Sequence, residues 1–221
     1  MSRHLEPYRT AIRMHGAGFE ALLWHSKASQ TRRFEAIASM VDLHGRVVAD
    51  LGCGAADLRG WLVEQGIRPA KYLGVEAIDE LFSVSRRKTE GVNDPPCEIV
   101  HADFVQDPGL LERLVDDRRA DVLLFSGSLN TLSETMAMRV LDRAWRAIGL
   151  VARGVLVFNF LSNRRADAFG RDGPTHRFRT MRVLEWALQR TPLVAFRHDY
   201  LGDHDATIAM RVATTSDLQL P

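Results

Sequence analysis

The chain has 221 residues, with 29 Lys and Arg against 28 Asp and Glu and a formal net charge of +1. That length suits one α/β domain with a full core, and the charge balance advertises no phosphate backbone as a partner. No apolar run approaches the ~20 residues needed to cross a bilayer, and Met1-Ser2-Arg3-His4-Leu5-Glu6-Pro7 lacks the apolar core of a signal peptide.

In chain order, Gln30 to Leu43 places Phe34, Ile37, Ala38 and Val41 at helical spacing. A strand over Val48-Ala49-Asp50-Leu51 breaks into Gly52-Cys53-Gly54, and Leu58 to Gln65 reads as the first crossover helix, stopped by Gly66. A second strand ends at Tyr72-Leu73-Gly74-Val75-Glu76 and leads into a helix over Asp79 to Glu90. The third strand, Cys97 to Asp103, precedes a helix over Pro108 to Asp117; the fourth, Asp121 to Phe125, precedes one over Ser133 to Ala147. The fifth strand is Gly154 to Phe160. After it the chain turns polar from Leu161 to Gly173, then gives a helix over Met181 to Arg190. Leu193 to Leu201 and Ala206 to Val212 read as strands joined by Gly202-Asp203-His204-Asp205, a link short enough to imply an antiparallel hairpin. Strands alternating with helices predict a parallel, doubly wound sheet. Cys53 and Cys97, the only cysteines, sit in a turn and at a strand start, so no structural disulfide is expected and a reducing cytoplasm fits.

Three strand ends carry the chemistry. Gly52 and Gly54 permit a sharp strand-to-helix turn with a bare backbone, and Asp57 stands where a dinucleotide fingerprint has its third glycine. Glu76 follows at ~20 residues, where nucleotide-binding folds place a carboxylate for ribose hydroxyls. Asp103 is suited to accept from an exocyclic amine, with Phe104 to pack on a purine face. Each also has a plainer reading: the glycines as a tight turn, Glu76 as a cap for the next helix, Asp103 as a solvated loop residue.

With these segments in this order the chain resembles the class I S-adenosylmethionine-dependent methyltransferases, from about Val47 to Phe160 and more loosely beyond. The resemblance implies a mostly parallel, seven-stranded Rossmann-like sheet ending in an antiparallel hairpin. It implies that Asp50, Gly52, Cys53 and Gly54 cup the methionine and ribose of S-adenosylmethionine. Glu76, with Ala77 and Ile78 after it, would hold the ribose hydroxyls; Asp103 and Phe104 would meet the adenine. Ser126, in Ser126-Gly127-Ser128-Leu129-Asn130, would lie beside the reacting methyl, and S-adenosylhomocysteine would be the product. Trp24-His25-Ser26, then Gln30 and Arg33-Phe34, is similar to the lead-in of small bacterial methyltransferases reading Gly-Trp-x-Ser and Gln-x-x-Arg-Phe, as is His198-Asp199-Tyr200. Leu23 departs from that pattern by replacing the glycine. On this reading residues 1–221 form one domain: a helical lid region over 1–45, a cofactor core over 46–160, an acceptor-side insertion over 161–192 and the hairpin over 193–221.

Methyl transfer from a sulfonium is an in-line displacement that needs positioning, exclusion of water and, for some acceptors, a base. Asn130 and Asn159, at or past strand ends, are placed to orient a hydroxyl or amine; His25 and Asp199 are the base candidates by ordinary pKa. Trp24 reads as a cofactor contact or a cover for the core edge. Arg33 reads as a contact for the cofactor carboxylate or a solvated helix charge. The Arg-rich stretch from Arg164 to Arg182 reads as a solvated loop or an anion site, and the histidines lack the paired spacing of a zinc site. The expected activity is methylation of a small molecule on oxygen, nitrogen or carbon in the cytoplasm, with neither nucleic acid nor membrane as partner. A nicotinamide-dependent oxidoreductase and a non-catalytic S-adenosylmethionine-binding regulator are the alternatives.

Overall fold

The computed structural model describes residues 3–165 and 173–217. Helix α1 spans Glu6–His15, and α2 spans Lys27–Met40 after a short 3-10 turn at Phe19–Leu22. The core then alternates β1 (Val47–Leu51), α3 (Asp57–Glu64), β2 (Lys71–Glu76), α4 (Asp79–Thr89), β3 (Cys97–His101), α5 (Leu110–Asp116), β4 (Val122–Phe125), α6 (Glu134–Ile148) and β5 (Val155–Ser162). A two-residue strand β6 (Arg177–Phe178), α7 (Thr180–Leu188), β7 (Val194–Arg197) and β8 (Asp205–Arg211) complete the α-helices and strands among the described residues.

The strands form one eight-stranded sheet in the order β3-β2-β1-β4-β5-β8-β7, with β6 paired to β5. β1 to β5 pair in parallel; β8 runs antiparallel to both β5 and β7. The doubly wound sheet and its antiparallel end are therefore as expected, and β6 is an addition. Strands β1, β4 and β5 are almost wholly buried because helices cover both faces, and they are apolar apart from Asp50, Asn159 and Ser162. Their side chains alternate. Val122, Leu124, Val155 and Val157 meet Phe34 and Ile37 of α2 and Leu58 and Leu62 of α3. Leu123, Phe125, Leu156 and Phe158 meet Leu111 of α5 and Leu141 and Ala144 of α6. Ser26 and Ser29 cap α2 reciprocally, each side-chain oxygen accepting from the other's backbone N–H at 3.1 Å. Among the described residues no helix is long and apolar enough to cross a membrane.

Several boundaries differ from expectation: β3 ends at His101, short of Asp103, and β7 ends at Arg197, short of Leu201, which opens a 3-10 turn. Strand β5 runs to Ser162, beyond Phe160, and the polar stretch after it falls largely on residues 166–172, outside the described residues. Asp205 belongs to β8, not to the turn. In sequence it closes a Gly-Asp-His-Asp run that resembles a solvated bend. In the fold its side chain is fully buried and accepts from Arg33 Nε at 2.5 Å and Nη2 at 2.8 Å, across 172 residues of chain. Arg33 is itself 5 % exposed, and its Nη1 donates to the Ser29 carbonyl at 3.1 Å. This bidentate pair bolts α2 to the antiparallel end of the sheet.

Removing one partner strands the other charge in the core, so Asp205→Ala is expected to cost about 3–5 kcal/mol of unfolding free energy, whereas the double replacement Arg33→Met with Asp205→Leu recovers most of it. Urea unfolding of the three proteins tests this; a loss under about 1 kcal/mol for Asp205→Ala contradicts it.

Candidate functional site

The strand order reverses between β1 and β4, which opens a crevice above their carboxyl ends. A cavity of about 950 Å³, counting its open mouth, lies there. Its floor is the turn after β1. Gly52 has a φ of +80°, and a Cβ there would stand 2.5 Å from Ser128 Cβ, so only glycine fits. Gly52 N and Cys53 N donate to the Val75 carbonyl at 2.8 and 2.9 Å, and Gly54 N donates to Glu76 Oε2 at 2.9 Å. The turn's amides are thus spent on β2 and its terminal carboxylate. Asp57 opens α3, accepting from Lys88 Nζ at 2.5 Å and from Gln30 Nε2 at 3.2 Å.

Carboxylates at or just past the ends of three successive strands line this cavity. Asp50 is 2 % exposed; its Oδ2 accepts from the Tyr72 hydroxyl at 2.5 Å, while Oδ1 is buried without a partner. Burial pushes its carboxyl up to about 7, against the pull of Tyr72. Burial likewise pushes Glu76 up to about 7, against the backbone N–H groups of Ile78, Gly54 and Ala77 that donate to it. Asp103 is half-buried. Burial opposes its ionisation, but His4 Nε2 at 3.3 Å and the Val105 and Gln106 amides hold it below the ordinary carboxylate range. Phe104 packs edge-on to Phe125 at 5.4 Å and flanks the glycine turn.

The roof comes from the N-terminal segment. His4, Leu5, Tyr8, Leu22, Leu23 and Trp24 all face the cavity. Leu5, Tyr8, Ile12, Ala17 and Leu22 pack on a small apolar cluster of Ala21, Ile78 and Leu81, apart from the main core. Burial raises the Tyr8 hydroxyl to about 12, with Thr131 as its hydrogen-bond partner. Trp24 lies against the bare Cα of Gly127, where a Cβ would stand 2.3 Å from the indole, and its other neighbour is the Arg33 guanidinium, 4.7 Å from the ring centroid. Gly127 N donates to Asn159 Oδ1 at 2.7 Å, which fixes the loop after β4. Along that loop Ser126 Oγ, Ser128 Oγ and Asn130 Oδ1 are buried without partners.

The cavity brings together Trp24, Asp50, Gly52, Cys53, Gly54, Glu76, Ala77, Ile78, Asp103, Phe104, Ser126 and Asn130 from the sequence-based set. Arg33, His25 and Asp199 do not line it. Arg33 is turned away from the cavity, held by Asp205 behind Trp24. His25 is exposed. Asp199 is exposed and takes two 2.8 Å bonds from Arg197, which lower its pKa. Asn159 is buried beneath the loop. Of the Arg-rich stretch, Arg179 and Arg182 are engaged by Glu134. Glu76 combines both sequence readings, since it lines the cavity and also ties down the start of α4. Sequence reasoning missed His4, Tyr8 and Thr131, which carry no local motif. Gln30 belonged to the quoted Gln-x-x-Arg-Phe pattern and, with Phe34, presents one helical face to the cavity.

No protein-family model matches the chain, and no curated protein matches it in sequence. Solved structures do match it in shape. A Leishmania major SAM-dependent methyltransferase superimposes at a TM-score of 0.67 and 14 % identity, over 94 % of this chain and 81 % of that one. This is the fold of the S-adenosylmethionine-dependent methyltransferases. The Haemonchus contortus phosphoethanolamine N-methyltransferase 1, in complex with phosphoethanolamine and S-adenosylhomocysteine, aligns at 0.64 and 14 % identity, over 100 % of this chain and 52 % of that one. The small RNA methyltransferase HEN1 aligns at 0.63 and 12 % identity, over 85 % and 25 %. The methyltransferase fold is thus shared with enzymes named for unlike acceptors.

Leu23 holds φ +57° and ψ 25°, the left-handed region that glycine enters freely and a branched side chain enters at a cost of about 1–2 kcal/mol. The Leu23→Gly variant is therefore expected to match or exceed the parent in urea unfolding. A loss above about 2 kcal/mol, ordinary for truncating a buried leucine, contradicts the strain argument.

For pH, Asp50 and Glu76 bind protons in the folded state between about pH 4 and 7 where the unfolded chain has released them. Their contribution to stability is therefore greatest at the acid end and is lost as pH rises through 7. Asp50→Asn, which cannot ionise, is expected to gain on the parent by about 1 kcal/mol or more between pH 5 and 7.5 in paired urea titrations. A constant difference contradicts this.

Proposed function

We propose that the protein is an S-adenosylmethionine-dependent methyltransferase acting on a small molecule by direct displacement. The observation that carries this reading is the state of the glycine turn. Its three amides are already bonded to Val75 and Glu76, and Asp57 stands at the start of α3. A pyrophosphate needs free amides and a helix N-terminus clear of negative charge, so the turn suits a nucleoside and disfavours a nicotinamide dinucleotide. The buried, unpartnered Asp50 Oδ1 and the bare Cα of Gly52 fit a ligand that brings donors close to the backbone.

Bound S-adenosylmethionine would supply an electrophilic methyl group on a sulfonium. Glu76 would accept from a ribose hydroxyl through the remaining lone pair of Oε2, Asp103 from the adenine amine, and Phe104 would pack beside the base. Trp24, Tyr8 and Leu23 would exclude water, which keeps the dielectric low and the reacting atoms oriented. Asn130 would orient the acceptor, and its amide is too weak a base to take a proton. His25 and Asp199 are not among the residues lining the cavity, so neither is assigned a base role. The solved neighbours include enzymes named for phosphoethanolamine and for small RNA, so the fold by itself does not choose the acceptor.

Calorimetry and turnover test the proposal together. Glu76→Ala and Asp103→Ala are each expected to weaken S-adenosylhomocysteine binding by about 1–3 kcal/mol, because each removes an acceptor from donors held out of water. Unchanged affinity in both variants refutes the site. Tight cofactor binding without S-adenosylhomocysteine production across a broad acceptor panel favours a non-catalytic regulator.

A further inference from the structure

Resting on the methyltransferase reading, we propose that Arg143 of α6 is the positioning residue for adenine recognition. It never touches the cofactor. It holds the loop after β3 in the shape that presents Asp103 and Phe104 to the base, and so sets the preference for a purine bearing a 6-amino group.

The segment from Asp103 to Gly109 lies between β3 and α5 and belongs to neither, so its shape depends on where its main-chain groups bond. Its amides go to Asp103. The Asp103 carbonyl accepts from Gln106 N at 3.1 Å and Asp107 N at 2.9 Å, and Asp103 Oδ1 accepts from Val105 N at 2.9 Å and Gln106 N at 3.3 Å. Its carbonyls go to Arg143. Nη2 donates to the Phe104 carbonyl at 2.5 Å and the Val105 carbonyl at 3.4 Å, and Nη1 donates to the Asp107 carbonyl at 3.3 Å. The Asp107 carboxylate is turned to Arg113 Nη2 at 2.5 Å and Gly109 N at 3.1 Å. One guanidinium thus spans the loop that carries both base-facing residues, across 39 positions of sequence from Phe104.

The strut stands on a rigid element. Leu141 and Ala144, on either side of Arg143, are buried in the main core, and Ser133 caps the start of α6. Core packing also fixes the Phe104 ring, edge-on to Phe125. His4 reaches the Asp103 carboxylate from the roof at 3.3 Å. A planar guanidinium serves several carbonyls at once, whereas a lysine ammonium is a compact donor on a flexible stem. An acceptor tells a 6-amino group from a hydrogen only where its own position is fixed by supporting contacts.

The test is calorimetry on the full chain with S-adenosylhomocysteine and its analogue carrying hydrogen in place of the 6-amino group. The parent is expected to prefer S-adenosylhomocysteine by about ten-fold or more, Arg143→Met to lower that preference to about two-fold, and Arg143→Lys to fall between. Arg113→Ala, which removes an exposed ion pair from the same loop, is expected to keep the parent's preference. A merely structural role weakens both ligands alike and leaves their ratio unchanged. That result in Arg143→Met overturns the proposal, as does an equal loss of preference in Arg113→Ala or a parent that binds both ligands equally. Should Arg143→Met fail to fold, a parent-like ratio in Arg143→Lys overturns it. Failure of the parent to bind S-adenosylhomocysteine is a separate outcome, which removes the methyltransferase reading and the proposal with it.

Discussion

A carboxylate taken out of water at the end of a parallel strand must find donors, and in this protein it finds too few. Asp50 has one, the Tyr72 hydroxyl, and keeps an oxygen without a partner; Glu76 is met only by amides of its own turn and of the glycine bend. Burial pushes both carboxyls towards neutrality in the absence of further donors. The crevice above β1 and β4 is therefore set up for a ligand rich in hydroxyls and positive charge. The glycine bend lets that ligand approach the backbone, the amides of Gly52, Cys53 and Gly54 are bonded to β2, and Asp57 sets a carboxylate at the start of α3 where phosphate would otherwise sit.

What covers the crevice is built separately from what forms its floor. The floor belongs to the main sheet, with apolar layers on both faces. The roof rests on a small satellite cluster, on the His4 to Asp103 contact and on Trp24, which is wedged between Gly127 and Arg33. The Arg33 to Asp205 pair stands behind that wedge. A residue in the antiparallel end of the sheet thereby sets the position of an indole in the cavity, and the pair acts on the site through packing without entering it.

The sheet is legible because parallel strands buried on both faces leave mostly apolar runs, with Asp50, Glu76 and Asp103 at or just past their ends. Much of the cavity floor followed, since the glycine bend and the carboxylates are local signals. The rest depends on partners distant in sequence. Asp205 looked like a turn residue because its partner Arg33 lies 172 positions away, and Arg33 was taken from the cavity by the same pairing. His4 meets Asp103 across 99 positions, with no motif at either residue to announce it. Leu23 is an intermediate case. Its departure from a glycine pattern marked an unusual backbone, and the structure gives that backbone a positive φ.

Buried strand-end carboxylates and a glycine bend whose own amides are bonded to β2 would favour an adenosyl amino acid over a dinucleotide. Calorimetric titration of the intact chain with S-adenosylhomocysteine and with NADH under identical conditions tests it most directly. The account predicts saturable heat at one site for S-adenosylhomocysteine and none for NADH; tight NADH binding with silence from S-adenosylhomocysteine contradicts it.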